Sequence, residues 1–367
     1  VGDVRPSWIE VDLDAIRHNV TEIARAVAPA RVCAVVKADG YGHGDVRVAQ
    51  AALDAGAEWL AVALVAEGTK VRAAGVTAPI LLLSEPINEA AAEVVRWNLT
   101  PTIYRAEFLS ALEQAAPKGY PVHIKLDTGM HRVGASLDEA RDLVRAVVAG
   151  PLHLQGVWTH FAVSDEDADF TAGQTAELLE FIAELAAEGI QPDMIHAANT
   201  AGAFRHPDAR LDMVRPGIGI YGLHPAVGFG DEIDLKPAMR VVSHVAFVRR
   251  HREGTRMSYG RSRAMPADGT VVTVPIGYAD GVSRRLRDSG GEVLIGGRRH
   301  PFAGNVTMDQ ILVDVGDQPV AVGDEVILLG RQGTGEITAD EWAERLGTIN
   351  WEIVCGFGAR LPRRYVG

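Results

Sequence analysis

From residue 31 to residue 221, apolar runs of strand length take turns with segments of helical periodicity. This alternation constrains the fold more than any other feature of the chain. The strand candidates are Arg31–Lys37, Trp59–Val65, Pro79–Ser84, Thr100–Tyr104, Val122–Asp127, Leu154–His160, Met194–Ala198 and Met213–Tyr221. Between them lie Ala-, Glu- and Arg-rich segments. In Gln174–Glu188, for example, Leu178, Phe181, Ile182 and Leu185 share one helical face, and Gly189 supplies the stop. A parallel partner strand needs a crossover, so strands alternating with helices imply a parallel sheet. Eight such units predict an α/β fold, a (β/α)8 TIM-type barrel. A doubly wound sheet is the structural alternative; it usually shows a G-x-G-x-x-G fingerprint after its first strand, and this chain is read as lacking that motif.

The pattern changes beyond about residue 235. Val241–Val248, Thr270–Ile276, Glu292–Ile295, Gln310–Val315 and Asp324–Leu329 are β-like and punctuated by Gly and Pro. Only Thr338–Leu346 reads as helix, with Asp340 and Glu341 in its first turn. We expect a barrel over 1–235 and a mostly β C-terminal domain over 236–367. Trp8–Leu13 alternates like a strand, and residues 1–12 are free to pair with either domain.

Composition narrows the function. A formal charge of −12 argues against non-specific nucleic-acid binding, and no apolar run reaches membrane-spanning length. Two cysteines, Cys33 and Cys355, stand in apolar, strand-like context and make no disulfide framework. The first residues lack the pattern of a signal peptide, so a reducing cytoplasm is the expected location. The histidines lack recognised metal-ligand spacing, so no metal is expected.

In such a barrel, chemistry gathers at the C-terminal ends of the strands. The unusual residues fall there: Lys37, the run Lys125–Arg132, His160, the run His196–Thr200, and Arg215–Gly222. Exit into a polar loop accounts for an Asn or a Thr. It accounts poorly for lysines, arginines and histidines on strands whose inward positions are buried. Desolvation lowers the pKa of a strand-end lysine and makes Lys37 a candidate Schiff-base former. The side chains of Asn199-Thr200 and the backbone of Gly217-Ile218 offer a phosphate cradle. A lysine plus a phosphate site suits a phosphorylated aldehyde. Both pyridoxal 5′-phosphate (PLP) and a sugar phosphate in an aldolase meet that description.

The segment AVVKADGYGHG (34–44) resembles the cofactor-lysine signature of alanine racemases. The likeness continues in order through IKLDTGMHRVG (124–134), THFA (159–162), HAANTA (196–201), VRPGIGIYG (214–222), MSYGR (257–261), IGYADG (276–281) and VTMDQ (306–310). It implies a PLP-binding barrel with a C-terminal β domain, in a homodimer that shares its active sites and interconverts L- and D-alanine for peptidoglycan. Lys37 would anchor PLP and act as base on one face of the substrate. Tyr259, from the partner subunit, would act on the other. Arg132 and His160 match residues beside that tyrosine. Arg215 would face the pyridine nitrogen, with His196 behind it, and leave the ring a weaker electron sink than a carboxylate would.

By the same resemblance, Tyr41, Thr200, Gly217 and Ile218 match phosphate ligands, with Asn199 orienting their loop. Met308, through its backbone N–H, and Arg132 match carboxylate contacts, and Asp309 and Tyr278 line the pocket from the second subunit. Lys125 matches a lysine carbamylated in many members; a plain buried lysine paired with Asp127 is the other reading. Two positions depart from the pattern. Ala359 stands where a phosphate-binding tyrosine is common, and Thr307 where cysteine is frequent. A racemase for larger amino acids such as serine, lysine or arginine, and a non-catalytic PLP-binding barrel, are the alternatives.

Overall fold

A computed structural model describes residues 5–226, 229, 233–261 and 263–367. The chain divides into two compact units. One comprises the residues up to Leu13, the turn Tyr41–Gly44 and Pro237–Gly367; the other comprises Asp14–Gly40 and Asp45–Lys236.

After an N-terminal strand β1 (Trp8–Asp12), the second unit supplies β2 (Arg31–Val35), β3 (Trp59–Val62), β4 (Ile80–Leu82), β5 (Thr102–Ile103), β6 (Pro121–Lys125), β7 (His153–Trp158), β8 (Met194–His196) and β9 (Met213–Val214). All eight expected barrel strands are present, and every pairing among them is parallel. Two four-stranded arcs, β4-β3-β2-β9 and β5-β6-β7-β8, make up the ring. Thr100 stitches one seam, donating to Ile80 O and accepting from Leu82 N. At the other seam, Asp212 N donates to Ile195 O and Arg215 N to Ala198 O. The barrel is therefore closed, and no strand edge is left to pair elsewhere.

Three sequence expectations need correction here. The first strand ends at Val35, two residues before Lys37. Lys37 instead opens a left-handed turn, with φ of +53°, +53°, +60° and +51° at Ala38, Asp39, Gly40 and Tyr41. The eighth strand stops at Val214, because Pro216 has no N–H to extend a ladder. Finally, Gly217–Gly222 does spell G-x-G-x-x-G, but after the last barrel strand, where Ile218–Tyr221 forms a single 3₁₀ turn.

The first unit is mostly β. Its main sheet contains β1 with β10 (Met239–His244) on one side, antiparallel. It continues through β15 (Glu292–Ile295), β16 (Arg298–Pro301) and β18 (Glu325–Gln332), and β20 (Arg363–Val366) lies parallel to β1. A second sheet orders β11 (Phe247–His251), β14 (Gly269–Val274) and β17 (Ile311–Gly316). Small pairs form from β12 (Arg256–Met257) with β13 (Arg263–Ala264), and from β18 with β19 (Gly335–Ile337). The expected strand Val241–Val248 is thus two strands in different sheets, broken at Val245-Ala246.

Helix Ala339–Leu346 forms as expected. The Thr338 side chain caps Glu341 N, Trp342 and Leu346 are buried, and Gly347 ends it at φ +67°. A second short helix, Asn350–Cys355, was not legible in the pattern and puts Cys355 on an exposed helical turn instead of a strand.

Candidate active site

In the barrel unit, five basic side chains converge on the strand ends. Arg215, just after β9, is buried and reaches across the barrel. Its Nη2 donates to the carbonyls of Thr159 and Ala197, each at 2.8 Å, and its Nη1 to His196 Nδ1 at 2.6 Å. Its Nε, also buried, has no hydrogen-bond partner among the described residues. Asp212, the acid three residues before it, is exposed and accepts from Ile195 N instead of pairing with Arg215. Burial pushes Arg215 down to about 9, so it stays charged at neutral pH.

Lys125 ends β6, buried. Asp127 does not pair with it directly; that carboxylate accepts from Gly129 N, His131 N and the His131 ring. Burial, then the charges of Arg132 and Arg215, push Lys125 down to about 7, with Lys37 adding to the effect. The ring of Trp158 serves both buried cations: Lys125 Nζ lies 4.7 Å and Arg215 Cζ 4.5 Å from its centroid.

His160 is held well below the ordinary range, first by burial and then by the charges of Arg215, Lys125, Arg132 and Lys37. It is neutral at pH 7. Arg215 Nη2, whose two hydrogens go to the Thr159 and Ala197 carbonyls, lies 3.4 Å from His160 Nδ1, so an N–H on Nδ1 would face a donor and the Nε2–H tautomer is favoured. The five groups thus form one electrostatic cluster, with Arg132 on its exposed rim.

The turn behind Lys37 is pinned by a residue that sequence reasoning missed. Glu67 Oε1 accepts from Ala38 N, and its Oε2 from Ala63 N and Leu64 N. Lys70 adds ion pairs to Asp39 and Asp45 at 2.8 and 2.7 Å. A left-handed residue costs roughly 1–2 kcal/mol when it is not glycine. The turn persists because these anchors fix it.

Across the barrel, the buried Thr200 hydroxyl accepts from Gly217 N at 3.0 Å. Asn199 Oδ1 caps the helix Thr200–Arg205 by accepting from Gly202 N, and also accepts from Ser164. Its oxygen is committed to shaping the loop.

The β unit carries the remaining expected residues on a patch of its own. Tyr259 sits in a 3₁₀ turn between two positive-φ residues, Ser258 and Gly260, and is 76% exposed. It lines one concavity with Tyr278, Arg284, Thr307, Met308 and Asp309. Gly277 lets the loop before it come close: a Cβ there would lie 2.3 Å from Thr307 O. Tyr278 N and Ala279 N then donate to the carbonyls of Thr307 and Met308. Asp309 pairs with Arg360 at 2.7 Å. Tyr41, in the same unit, is buried, and burial raises its phenol above the ordinary value. Ala359 is exposed; in this unit the nearby tyrosine is Tyr365, whose hydroxyl occupies the space a Cβ on Gly44 would need.

The family model for the alanine racemase N-terminal domain matches residues 11–225, and that for the C-terminal domain matches 238–365. The chain belongs to the alanine racemase family. An alanine racemase of Symbiobacterium thermophilum is 44% identical, covering 99% of this chain and 98% of the relative. The crystal structure of an alanine racemase from Bacillus anthracis with bound L-Ala-P matches at TM-score 0.94 and 36% identity, over 100% of this chain and 96% of that one. A histidine racemase from Leuconostoc mesenteroides also matches, at TM-score 0.91 and 29% identity, over 100% and 99% of the two chains.

Members of this family are PLP-dependent racemases. The barrel's donor set fits that cofactor. A buried guanidinium holds one unspent donor, as a ring nitrogen acceptor requires, and the lysine, hydroxyl and backbone groups expected around it share the same strand ends.

Proposed function

We propose that this protein is an isomerase that interconverts L- and D-alanine with PLP as cofactor, working as a homodimer in the cytoplasm and supplying D-alanine for peptidoglycan. The observation that carries this reading is the buried, unspent Nε of Arg215 within a cluster that feels the charge of Lys37. In this reading the cofactor is held by residues up to 235 and the second base is supplied from 236–367.

PLP, when bound, supplies an electron-withdrawing ring that acidifies the substrate Cα–H. Lys37 would anchor it through Nζ and, once the substrate amine takes the place of Nζ, would exchange a proton at Cα on one face. Arg215 would donate from Nε without giving up its proton, and a ring nitrogen held there would stay unprotonated. Thr200, Gly217 and Ile218 would hold the phosphate, with Asn199 holding their loop in shape; by the family resemblance Tyr41 matches a further phosphate ligand. Racemisation needs a second proton carrier, because a single base tends to return the proton to the side it left. Tyr259 of a second copy fills that role. The Arg132 charge and the His160 ring would stand beside its hydroxyl. His160 helps as a neutral donor and not as a cation, since its neighbours hold it unprotonated. Arg132 and the Met308 N–H bind the substrate carboxylate, and Tyr278 and Asp309 close the pocket. Lys125, brought down to about 7, is partly neutral at physiological pH, which is the form that reacts with CO₂. Its carbamate would turn the repulsion with Arg132 into attraction.

The likeness to a histidine racemase keeps substrate breadth as the second question. One methylene is worth only about 1–3 kcal/mol of discrimination in an apolar pocket. The test is chiral analysis after incubating the pure protein with L-alanine, L-serine, L-lysine and L-histidine. D-Alanine should form fastest; faster inversion of a bulkier amino acid would reassign the substrate. In Tyr259→Phe, racemisation should fall by about 10²–10⁴-fold, while one enantiomer still exchanges its Cα proton with deuterated solvent. Small, equal losses of exchange for both enantiomers would remove Tyr259 as a base.

A further inference from the structure

His196 does not end the line behind Arg215. Its Nε2 lies 2.9 Å from Nδ1 of His123, a buried residue on β6, and His123 Nε2 lies 3.3 Å from Oε1 of half-buried Gln155. The protons in this chain run one way only. A guanidinium has donors and no acceptor, so His196 Nδ1 must accept from Arg215 Nη1. The His196 proton then sits on Nε2 and points at His123 Nδ1. The His123 proton sits on its own Nε2 and points at Gln155. Reversing either ring, or adding a second proton to either, brings two N–H groups face to face. Flipping the Gln155 amide does the same.

The surroundings agree with two neutral rings. Burial, with the Arg215 charge, holds His123 at about 3 and His196 well below its ordinary value. Among the described residues Asp193 is the one acid that acts on His123, and only through its charge; the Trp59 ring lies beside it, 5.5 Å between centroids. The fold has also made room for this imidazole. A Cβ on Gly156 of the neighbouring strand would fall 2.4 Å from His123 Nδ1.

We infer that His123 is a positioning residue for Arg215. It fixes the His196 ring by accepting from Nε2, His196 fixes Nη1 of Arg215, and the guanidinium is thereby turned so that Nε is the donor left over. Gln155 closes the relay with an acceptor that carries no charge, so the buried cation is stabilised by aligned neutral dipoles without a carboxylate that would take up a proton. The geometric part stands alone; the consequence for catalysis rests on the function proposed above.

Two measurements test it. The first is ¹⁵N NMR of the holoenzyme labelled on histidine rings, with His123 and His196 assigned from variants. Both should be neutral Nε2–H tautomers from pH 6 to pH 9. An Nδ1–H tautomer or a titration in that range at either ring overturns the relay, whether or not the protein racemises alanine. The second compares His123→Asn with His123→Phe. Asn can place an oxygen near the position of Nδ1 and is small; Phe fills the ring space and accepts nothing. The relay requires kcat to fall about tenfold or more in the Phe variant with little change in KM, and to be largely restored in the Asn variant. A packing role predicts the opposite order, and that order would overturn the inference. If the Phe variant does not fold, the tautomers of the unaltered holoenzyme still decide. Loss of all racemase activity from the unaltered protein with intact tautomers would remove the proposed function and leave the relay.

Discussion

Arg215 in the barrel and Asp280 in the β unit are both buried charges beneath loops that carry site residues, yet they are treated in opposite ways. Asp280 is saturated. Arg5 grips both its oxygens at 2.7 and 2.6 Å, Gly277 N donates at 2.9 Å, and Arg360 approaches to 3.4 Å. Arg215 has no carboxylate within ion-pair distance among the described residues and keeps a donor in reserve. A saturated charge builds a frame, here the turn Gly277–Gly281 that sets Tyr278 against the Met308 loop. An unsaturated one costs stability and is retained for a ligand.

Substitutions can break this contrast. Arg215→Met should lower racemisation by about 10²-fold or more while changing unfolding free energy by no more than about 2 kcal/mol, because removing an uncompensated charge offsets the lost carbonyl contacts. Activity assays beside thermal melts check it, and a collapse in stability would show the guanidinium to be part of the frame. Asp280→Asn should do the reverse. It should cost about 2–3 kcal/mol, discounted because Arg5 and Arg360 keep water contact, while kcat in the folded enzyme falls less than tenfold.

The smallest effect is a pH dependence. The folded pKa of Lys125 lies below its unfolded value of about 10.4. Between about pH 7 and that value the unfolded chain binds more protons, so the penalty of the buried ammonium is full at pH 6 and fades as pH rises. Lys125→Met should therefore melt above the unaltered protein at pH 6, with the gap closing by about pH 10. A gap constant with pH would remove the charge penalty. A gap that appears only when CO₂ is excluded would point to the carbamate.

Strand positions were legible because each barrel strand is an apolar run of the right length between helical patterns. Their ends were less so. Lys37 lies past its strand because anchors distant in sequence, Glu67 and Lys70, hold a turn that local propensity opposes. The six-residue helix Asn350–Cys355 is too short to show a period. At the site, residue identities were readable from the motifs, but which atoms remain uncommitted was not. The free Nε of Arg215 depends on carbonyls of Thr159 and Ala197 that only the closed ring brings near. His123 did carry a signal, since it stands two residues before Lys125 on one strand and so faces the same way.

The left-handed turn after Lys37 has an evolutionary side. Ala38 and Asp39 hold a backbone shape that glycine adopts freely. Glycine at Ala38 would relieve that strain beside the lysine proposed to anchor the cofactor, whereas at Asp39 it would also remove the ion pair to Lys70. Selection for robustness alone would drift toward glycine at Ala38 and slacken the hold on Lys37. Under the proposed function, Ala38 is a position where thermostability and turnover would pull in opposite directions, and an engineer raising the melting temperature should leave it untouched.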